Sequence, residues 1–108
     1  MLKDFRAYQM SIIFYRQCEE VKCAKHLREQ LMRAASSIAL NLSEGSAQST
    51  SANRLRFYHM SLGSTRECQT ILDLANVNSK TPILQTVDQL AASVYKLCRA
   101  QQLSLIHI

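Results

Sequence analysis

The sequence has few residues that break helices: glycine occurs only at Gly45 and Gly63, and proline only at Pro82. So few turning points argue against many short strands and for a few long helices. Tryptophan is absent and aromatic residues make up 6% of the chain, too few to build a platform on which bases stack. There is no glycine-rich phosphate loop, which removes the usual basis for nucleotide hydrolysis. No Cys-x-x-Cys pair occurs, and the three histidines, His26, His59 and His107, are scattered away from any zinc or triad spacing. Ser43-Glu44-Gly45 does not form a nucleophile elbow, because that turn needs a strand before its serine and this serine closes a helical pattern. The residues therefore predict no catalytic site, no cofactor and no metal.

No apolar run approaches the roughly twenty residues that cross a bilayer, and charge interrupts the opening MLKDFRAYQM where a secretory signal would be apolar. These features predict a cytoplasmic protein with no membrane partner. In that compartment Cys18, Cys23, Cys68 and Cys98 are expected to stay reduced and to pack mostly as small hydrophobes.

Basic charge is abundant. Thirteen lysines and arginines face eight acids, a net charge of +5. Between Lys22 and Arg66 lie seven bases (Lys22, Lys25, Arg28, Arg33, Arg54, Arg56, Arg66) against Glu29 and Glu44, so this segment carries the whole excess. An anionic partner would be drawn to the middle of the chain.

Apolar spacing marks four helices. Phe5, Tyr8, Ile12 and Tyr15 place the first over about Asp4–Val21, with a break at Cys23-Ala24-Lys25. Leu27, Leu31, Ala34, Ile38 and Leu42 place the second over about Lys25–Glu44, ended by Gly45 as a left-handed cap. Ser46–Asn53 reads as a polar loop in which Ser49, Thr50 and Ser51 are all suitable N-caps. The third helix, about Ala52–Asn78, has two apolar lines on opposite sides: Leu55, Tyr58, Leu62 and Leu72, and Phe57, Cys68, Ile71 and Ala75. A neighbouring subunit or a central place in a monomer would explain two such faces. Ser61, Gly63 and Ser64 offer a stretch where another backbone could come close. After Asn78–Pro82, with Thr81 as cap and Pro82 first in the helix, Ile83 or Leu84, Val87, Leu90, Val94 and Leu97 mark the fourth. Four long helices on short loops predict an all-α, antiparallel up-down-up-down four-helix bundle.

That bundle is expected to occupy residues 1–102 as one domain. The tail, 103–108, breaks the amphipathic pattern of the helix before it. It resembles the translated end of a transposon adapter used in sequencing-library preparation, which implies a non-native read-through.

Gln30, Arg33, Ser37, Asn41 and Glu44 form a polar stripe along the flank of the second helix. An acid in a helix's last turn opposes the macrodipole, so Glu44 is expected to cap the third helix or to pair with an arginine such as Arg54. Arg33 is expected to serve stability rather than binding.

The run Arg33–Gly45, RAASSIALNLSEG, resembles the "RAa-SI-xNiaEG" core of the four-helix bundle proteins encoded in ribosomal RNA intervening sequences. Leu62–Glu67, LGSTRE, is similar to that family's "lGSl-E" segment, and Gln30 matches the glutamine before the arginine. The likeness extends from Phe5 to about Arg99. It departs from the pattern at Gln48, where a basic residue is common, and in lacking a proline in the first turn. The resemblance implies an antiparallel bundle. Related accessory proteins of diversity-generating retroelements form pentameric rings that engage nucleic acid and a reverse transcriptase, which implies a homo-oligomer, as a pentamer by that analogy, with nucleic acid and protein partners. Lys25, Arg28, Arg54 and Arg56 are the expected contacts to an RNA or DNA backbone, in binding that is electrostatic and nearly independent of sequence. The rival expectation is a protein-interaction module that binds no nucleic acid.

Overall fold

In the computed structural model, which describes residues 2–106, a 3₁₀ turn at Leu2–Asp4 precedes four helices. They are α1 (Arg6–Glu19), α2 (Lys25–Ser46), α3 (Ser51–Leu74) and α4 (Pro82–Ile106). On α1 the buried side is Ala7, Ser11, Phe14 and Cys18, one residue round from the expected line of Tyr8, Ile12 and Tyr15. Small Ala7 and Ser11 let the helix seat closely, and the Ser11 hydroxyl is satisfied by donating to the Tyr8 carbonyl at 2.6 Å. The two tyrosines stay half-buried at the edge, where an amphipathic ring keeps its polar tip near water.

Leu31, Ala34, Ile38 and Leu42 are buried on α2 as expected, with Leu27 at the margin. Gly45 plays a different part from the one its position suggested. No glycine has a positive φ, and α2 continues through Ser46. Gly45 is buried under α3, where an added Cβ would stand 2.6 and 2.8 Å from the ring of Tyr58. Close approach of the two helices, not a left-handed cap, explains the glycine. The connection to α3 is only residues 47–50. Thr50 is its N-cap, accepting a hydrogen bond from the Asn53 N–H at 3.2 Å.

The C-terminus of α3 comes four residues earlier than its apolar spacing suggested. Asn76 takes a left-handed conformation (φ 54°), its N–H donates to the Asp73 carbonyl at 3.0 Å, and the Val77 N–H reaches the Leu72 carbonyl at 3.3 Å. This is a Schellman cap with asparagine in the place usually held by glycine, while Val77 folds back onto the core. α3 touches both α2 and α4, and from its two apolar lines Tyr58, Cys68, Ile71 and Leu72 are buried in the monomer while Leu55, Phe57, Leu62 and Ala75 are half-buried. Tyr58, Ser61, Thr65, Cys68, Ile71 and Leu72 are all buried. Ser61 donates to the Ile38 carbonyl at 3.0 Å and Ser64 to the Ser37 hydroxyl at 2.8 Å, so the small residues do mark a close approach to α2. Gly63 takes no part in it, with nothing within 4 Å of where its Cβ would be.

Pro82 opens α4, which buries Ile83, Val87, Leu90, Ala91, Val94 and Cys98. The helix continues into the tail as far as Ile106, although Leu103, Leu105 and Ile106 are exposed, as their break from the pattern implied. His107 and Ile108 lie outside the described residues. Neighbours pack as α1 on α2, α2 on α3, α3 on α4, and α4 back on α1, with the largest interface between α2 and α3. Bonds from Ser61 to Ile38 and from Gln69 to Asp88 (2.9 Å) are those of antiparallel neighbours. The result is an antiparallel up-down-up-down bundle of 48 × 22 × 22 Å.

Candidate nucleic-acid interface

Antiparallel packing sorts the charges by height along the rod. One end, the loop end, holds the start of α1, the α2–α3 loop and the end of α4. With each helix divided at its middle, that half contains six bases, Lys3, Arg6, Arg54, Arg56, Lys96 and Arg99, against Asp4 and Glu44, a net +4. The opposite half has seven bases against six acids, a net +1. A net excess confined to one half produces a field that favours polyanions there.

The four expected contacts do not form one patch. Lys25 and Arg28 open α2 at the opposite end, and Arg54 and Arg56 open α3 at the loop end. The 22 residues of α2 separate the pairs by roughly 30 Å at about 1.5 Å per residue. Arg28 is tied to the fold: its guanidinium donates to the carbonyls of Val21 at 2.7 Å and Glu19 at 2.8 Å, closing the C-terminus of α1. Arg54 is tied too. It donates to Gln101 Oε1 at 3.1 Å, the Gln48 carbonyl at 3.0 Å and the Ser51 hydroxyl at 3.1 Å, binding the loop to α4. Arg56 is exposed and lies over the Phe57 ring, 4.7 Å from its centre. That stacking holds the guanidinium flat while leaving its N–H edges for an anion. Lys25 is exposed.

Within the polar stripe, Ser37 and Asn41 act together. The Asn41 amide donates to the Ser37 carbonyl at 2.9 Å and hydroxyl at 3.0 Å, and Ser64 joins them from α3. Gln30, Arg33 and Glu44 are exposed. Arg33 has no side-chain hydrogen bond or ion pair among the described residues, so the stabilising role expected for it is not the one it plays. Glu44 neither caps α3 nor meets Arg54; only its main-chain carbonyl is engaged, by the Gln48 amide at 3.2 Å. The stripe is a stitch between α2 and α3 at its centre and solvated at its ends.

Arg6, Lys96 and Arg99, all exposed, lie in the same half of the rod as Arg56. They escape a reading along the chain because residues 1–21 and 67–108 each hold three acids against three bases. The predicted up-down order was the signal that places them in the same half as the α2–α3 loop. Among the described residues the one ion pair is Arg16–Glu19 at 3.3 Å, on the opposite half. Among the described side chains the loop-end bases have no carboxylate partner.

The other titratable groups belong to the core. Burial pushes the Cys18 thiol up to about 12. Burial also raises Cys68, aided by the nearby Cys18 and Glu67, and raises Cys98. Such thiols stay protonated and unreactive. The Tyr58 phenol is raised by burial against the opposing charge of Arg54. Among the described residues no three His, Cys, Asp or Glu side chains gather to hold a metal, and no helix is long and apolar enough to cross a membrane.

No curated protein and no solved structure matches this chain. A family model, described as 23S rRNA-intervening sequence protein, matches residues 3–83. The match spans α1, α2, α3 and the first two residues of α4, Pro82 and Ile83, and so takes in the buried residues of α2, Ala34, Ala35, Ile38, Leu42 and Gly45, and of α3, Tyr58, Ser61 and Thr65. With three-quarters of its length matched, the chain belongs to the 23S rRNA-intervening sequence protein family.

Proposed function

We propose that this protein is a non-enzymatic bundle that works in the cytoplasm, assembles into homo-oligomers and holds the RNA or DNA backbone against its loop end. The observation that carries the reading is the concentration of charge, net +4 in the half containing the α2–α3 loop against +1 in the other. Arg6, Arg56, Lys96 and Arg99 are the contacts, because they are exposed and hold no carboxylate among the described side chains. Arg54 supports them by fixing the loop to α4. Self-association would repeat the basic surface once per subunit and convert weak phosphate contacts into avidity. The apolar residues that α3 buries inside the monomer are not available for this. Exposed Ile12 and Leu40, which line one hollow between α1 and α2 with Tyr8, Tyr15 and Ala39, are the surface on which self-association rests. Those same residues favour the rival reading, a protein-interaction module.

The test is the salt dependence of binding to a generic RNA duplex. Replacing Arg56 and Arg99 by glutamine should weaken binding to all sequences alike and lower the log-log salt slope by roughly 0.7 to 0.9 for each phosphate that is no longer neutralised. Replacing Lys22 and Lys25 should leave the slope unchanged. Equal weakening by the two pairs would remove the loop end from the reading. Absence of salt-sensitive binding by wild-type protein, freed of bound nucleic acid, would leave the protein-interaction reading in its place.

A further inference from the structure

Between them α3 and α4 leave a hollow of about 540 Å³. Ala91, Ala92 and Tyr95 of α4 give it an apolar surface, and Arg66 of α3 and Lys96 of α4 bring charge to it. Tyr95 is 53% exposed, while α4 packs the core with a separate line from Ile83 to Cys98, so the monomer makes little use of this ring. A ring and methyl groups left wet in the monomer gain by being covered. Tyrosine and arginine are also the side chains enriched at the centres of protein contacts.

The charges suit an acidic occupant. The Gln69 amide donates to Asp88 Oδ1 at 2.9 Å, and the Gln69 side-chain oxygen accepts from the Arg66 guanidinium at 3.1 Å. This line engages the one acid of the hollow and holds Arg66 by a single N–H, leaving the rest of its donor fork free. An arginine already held in place loses less freedom when it binds. Arg66 and Lys96 have no carboxylate among the described side chains. A phosphate backbone would be repelled by Asp88 and has no apolar side chain to set against Tyr95 and the alanines.

Gly63 lies three residues before Arg66 and so on the same side of α3. It is exposed, with nothing within 4 Å of where its Cβ would be. A helix interior disfavours glycine, and no contact among the described residues requires one here. A second backbone lying against α3 would. The furrow between two packed helices is the shape that a third helix fills, with side chains spaced three and four apart.

We propose that the α3–α4 hollow docks an acidic amphipathic helix of a partner protein. An apolar side chain of that helix seats against Tyr95 and the two alanines, and its carboxylates meet Arg66 and Lys96. The contact stands apart from the loop-end reading: Lys96 is common to both, but Arg66, Tyr95 and Gly63 belong to this one alone.

Panning a phage-displayed library of random peptides of about 16 residues on the intact protein tests the assignment. The peptides recovered should share large apolar residues three or four apart, flanked by Asp or Glu. Titrated into the ¹⁵N-labelled chain, they should move the amide signals of Arg66, Gln69, Ala92 and Tyr95 saturably. Tyr95→Ser and Arg66→Glu should each weaken them at least tenfold, and lysine in place of one peptide acid should restore binding to Arg66→Glu. Gly63→Ala should weaken them too while melting higher than the wild type, so that loss of binding cannot be loss of fold. No enrichment over bare matrix, peptides without acids, shifts at Tyr8, Ile12 and Leu40 instead, or undiminished affinity in all three variants would overturn the proposal. An RNA that moves the Arg66 and Tyr95 amides and is weakened by Tyr95→Ser would assign the hollow to nucleic acid. Light scattering in which Tyr95→Ser breaks up the wild-type assembly would assign it to a second copy, and either result would overturn the partner helix. Duplex binding that fails while the peptides still dock would overturn the loop-end reading and leave this one standing.

Discussion

The two ends of the bundle solve one structural problem with the same residue and differ in everything else. At each end a half-buried arginine gathers loose backbone carbonyls: Arg28 takes those of Glu19 and Val21, and Arg54 takes that of Gln48 and reaches across to Gln101. Around Arg28 the charges nearly cancel and a cleft lies open. Around Arg54 the acids are scarce, and α2 and α3 come close together at Gly45 and Tyr58. An arginine therefore cannot be assigned to a partner by its charge alone. Its hydrogen bonds decide, and by that measure Arg28 and Arg54 belong to the fold while Arg56 and Arg99 belong to the surface.

The largest expected effect is at the packed end. Gly45→Ala would put a Cβ within 2.8 Å of two Tyr58 ring atoms, and Tyr58 is pinned by the edge-on ring of Phe5, 6.3 Å between centres. Overpacking of this kind costs about 1–3 kcal/mol, which thermal unfolding should read as a loss of several degrees. Adding Tyr58→Leu should recover part of the loss, making the pair non-additive. Unchanged melting of Gly45→Ala would mean that the helices separate freely at this end and that the contrast between the ends is overdrawn.

Next come the two arginines. Arg28→Met and Arg54→Met should each destabilise by about 1–2 kcal/mol, below the full value of charged hydrogen bonds because both sites are partly exposed. Hydrogen exchange should separate them. Loss of Arg28 should speed exchange at the end of α1, and loss of Arg54 should speed it around residues 47–51 and in the last turns of α4. Equal loosening of both ends by either change would make the bundle a single cooperative unit and dissolve the comparison.

Much of this architecture is legible along the chain. The rarity of glycine and proline, together with apolar spacing, places four helices, the Thr50 cap and Pro82 as the first residue of α4. The stop of α3 is not legible, because an asparagine in the left-handed conformation looks like any polar residue of a helix. The face of α1 differs by one position from its apolar spacing because small Ala7 and Ser11 face the core and the large tyrosines do not. The site is the least legible part. A window from Lys22 to Arg66 reads as one basic segment, but α2 carries it from one end of the rod to the other, so its charges divide between the two ends.

The thiols supply a smaller, pH-dependent test. Cys18 and Cys68 are buried and their thiols are held above the ordinary value of about 8.5. In the unfolded chain they lose protons at lower pH than in the native protein, so above about pH 8.5 the unfolded state binds fewer protons and stability falls as pH rises. For Cys18 the loss should run from about 8.5 toward its raised value of about 12. At pH 9 it amounts to less than about 1 kcal/mol per thiol. Cys18→Ala should flatten the alkaline limb of a denaturation series. Half-buried Cys23 should be alkylated first in native protein, with buried Cys18, Cys68 and Cys98 following only on unfolding. Equal labelling rates for all four would show that the core opens far more readily than its packing implies.

The smallest effect runs in the opposite direction and lies between the ends, at Gly63. This glycine is in the interior of α3, exposed, at an ordinary helical φ, with no atom within 4 Å of where a side chain would begin. The hydrogen bonds that draw α3 onto α2 come from Ser61 and Ser64 on either side of it, so the close approach needs no glycine. Alanine there should return the conformational entropy that glycine gives up on folding, raising stability by about 0.5–1 kcal/mol. The two glycines thus make an internal control: the same substitution lowers the melting temperature at 45 and raises it at 63. A second measurement on Gly63→Ala extends the test to assembly. Light scattering should return the same mass as for the wild type, because the surface proposed for self-association is on α1 and α2. If the variant melts higher as a monomer yet its assembly falls apart, another subunit's backbone must approach α3 at Gly63, and the oligomer interface would move from α1 and α2 to α3.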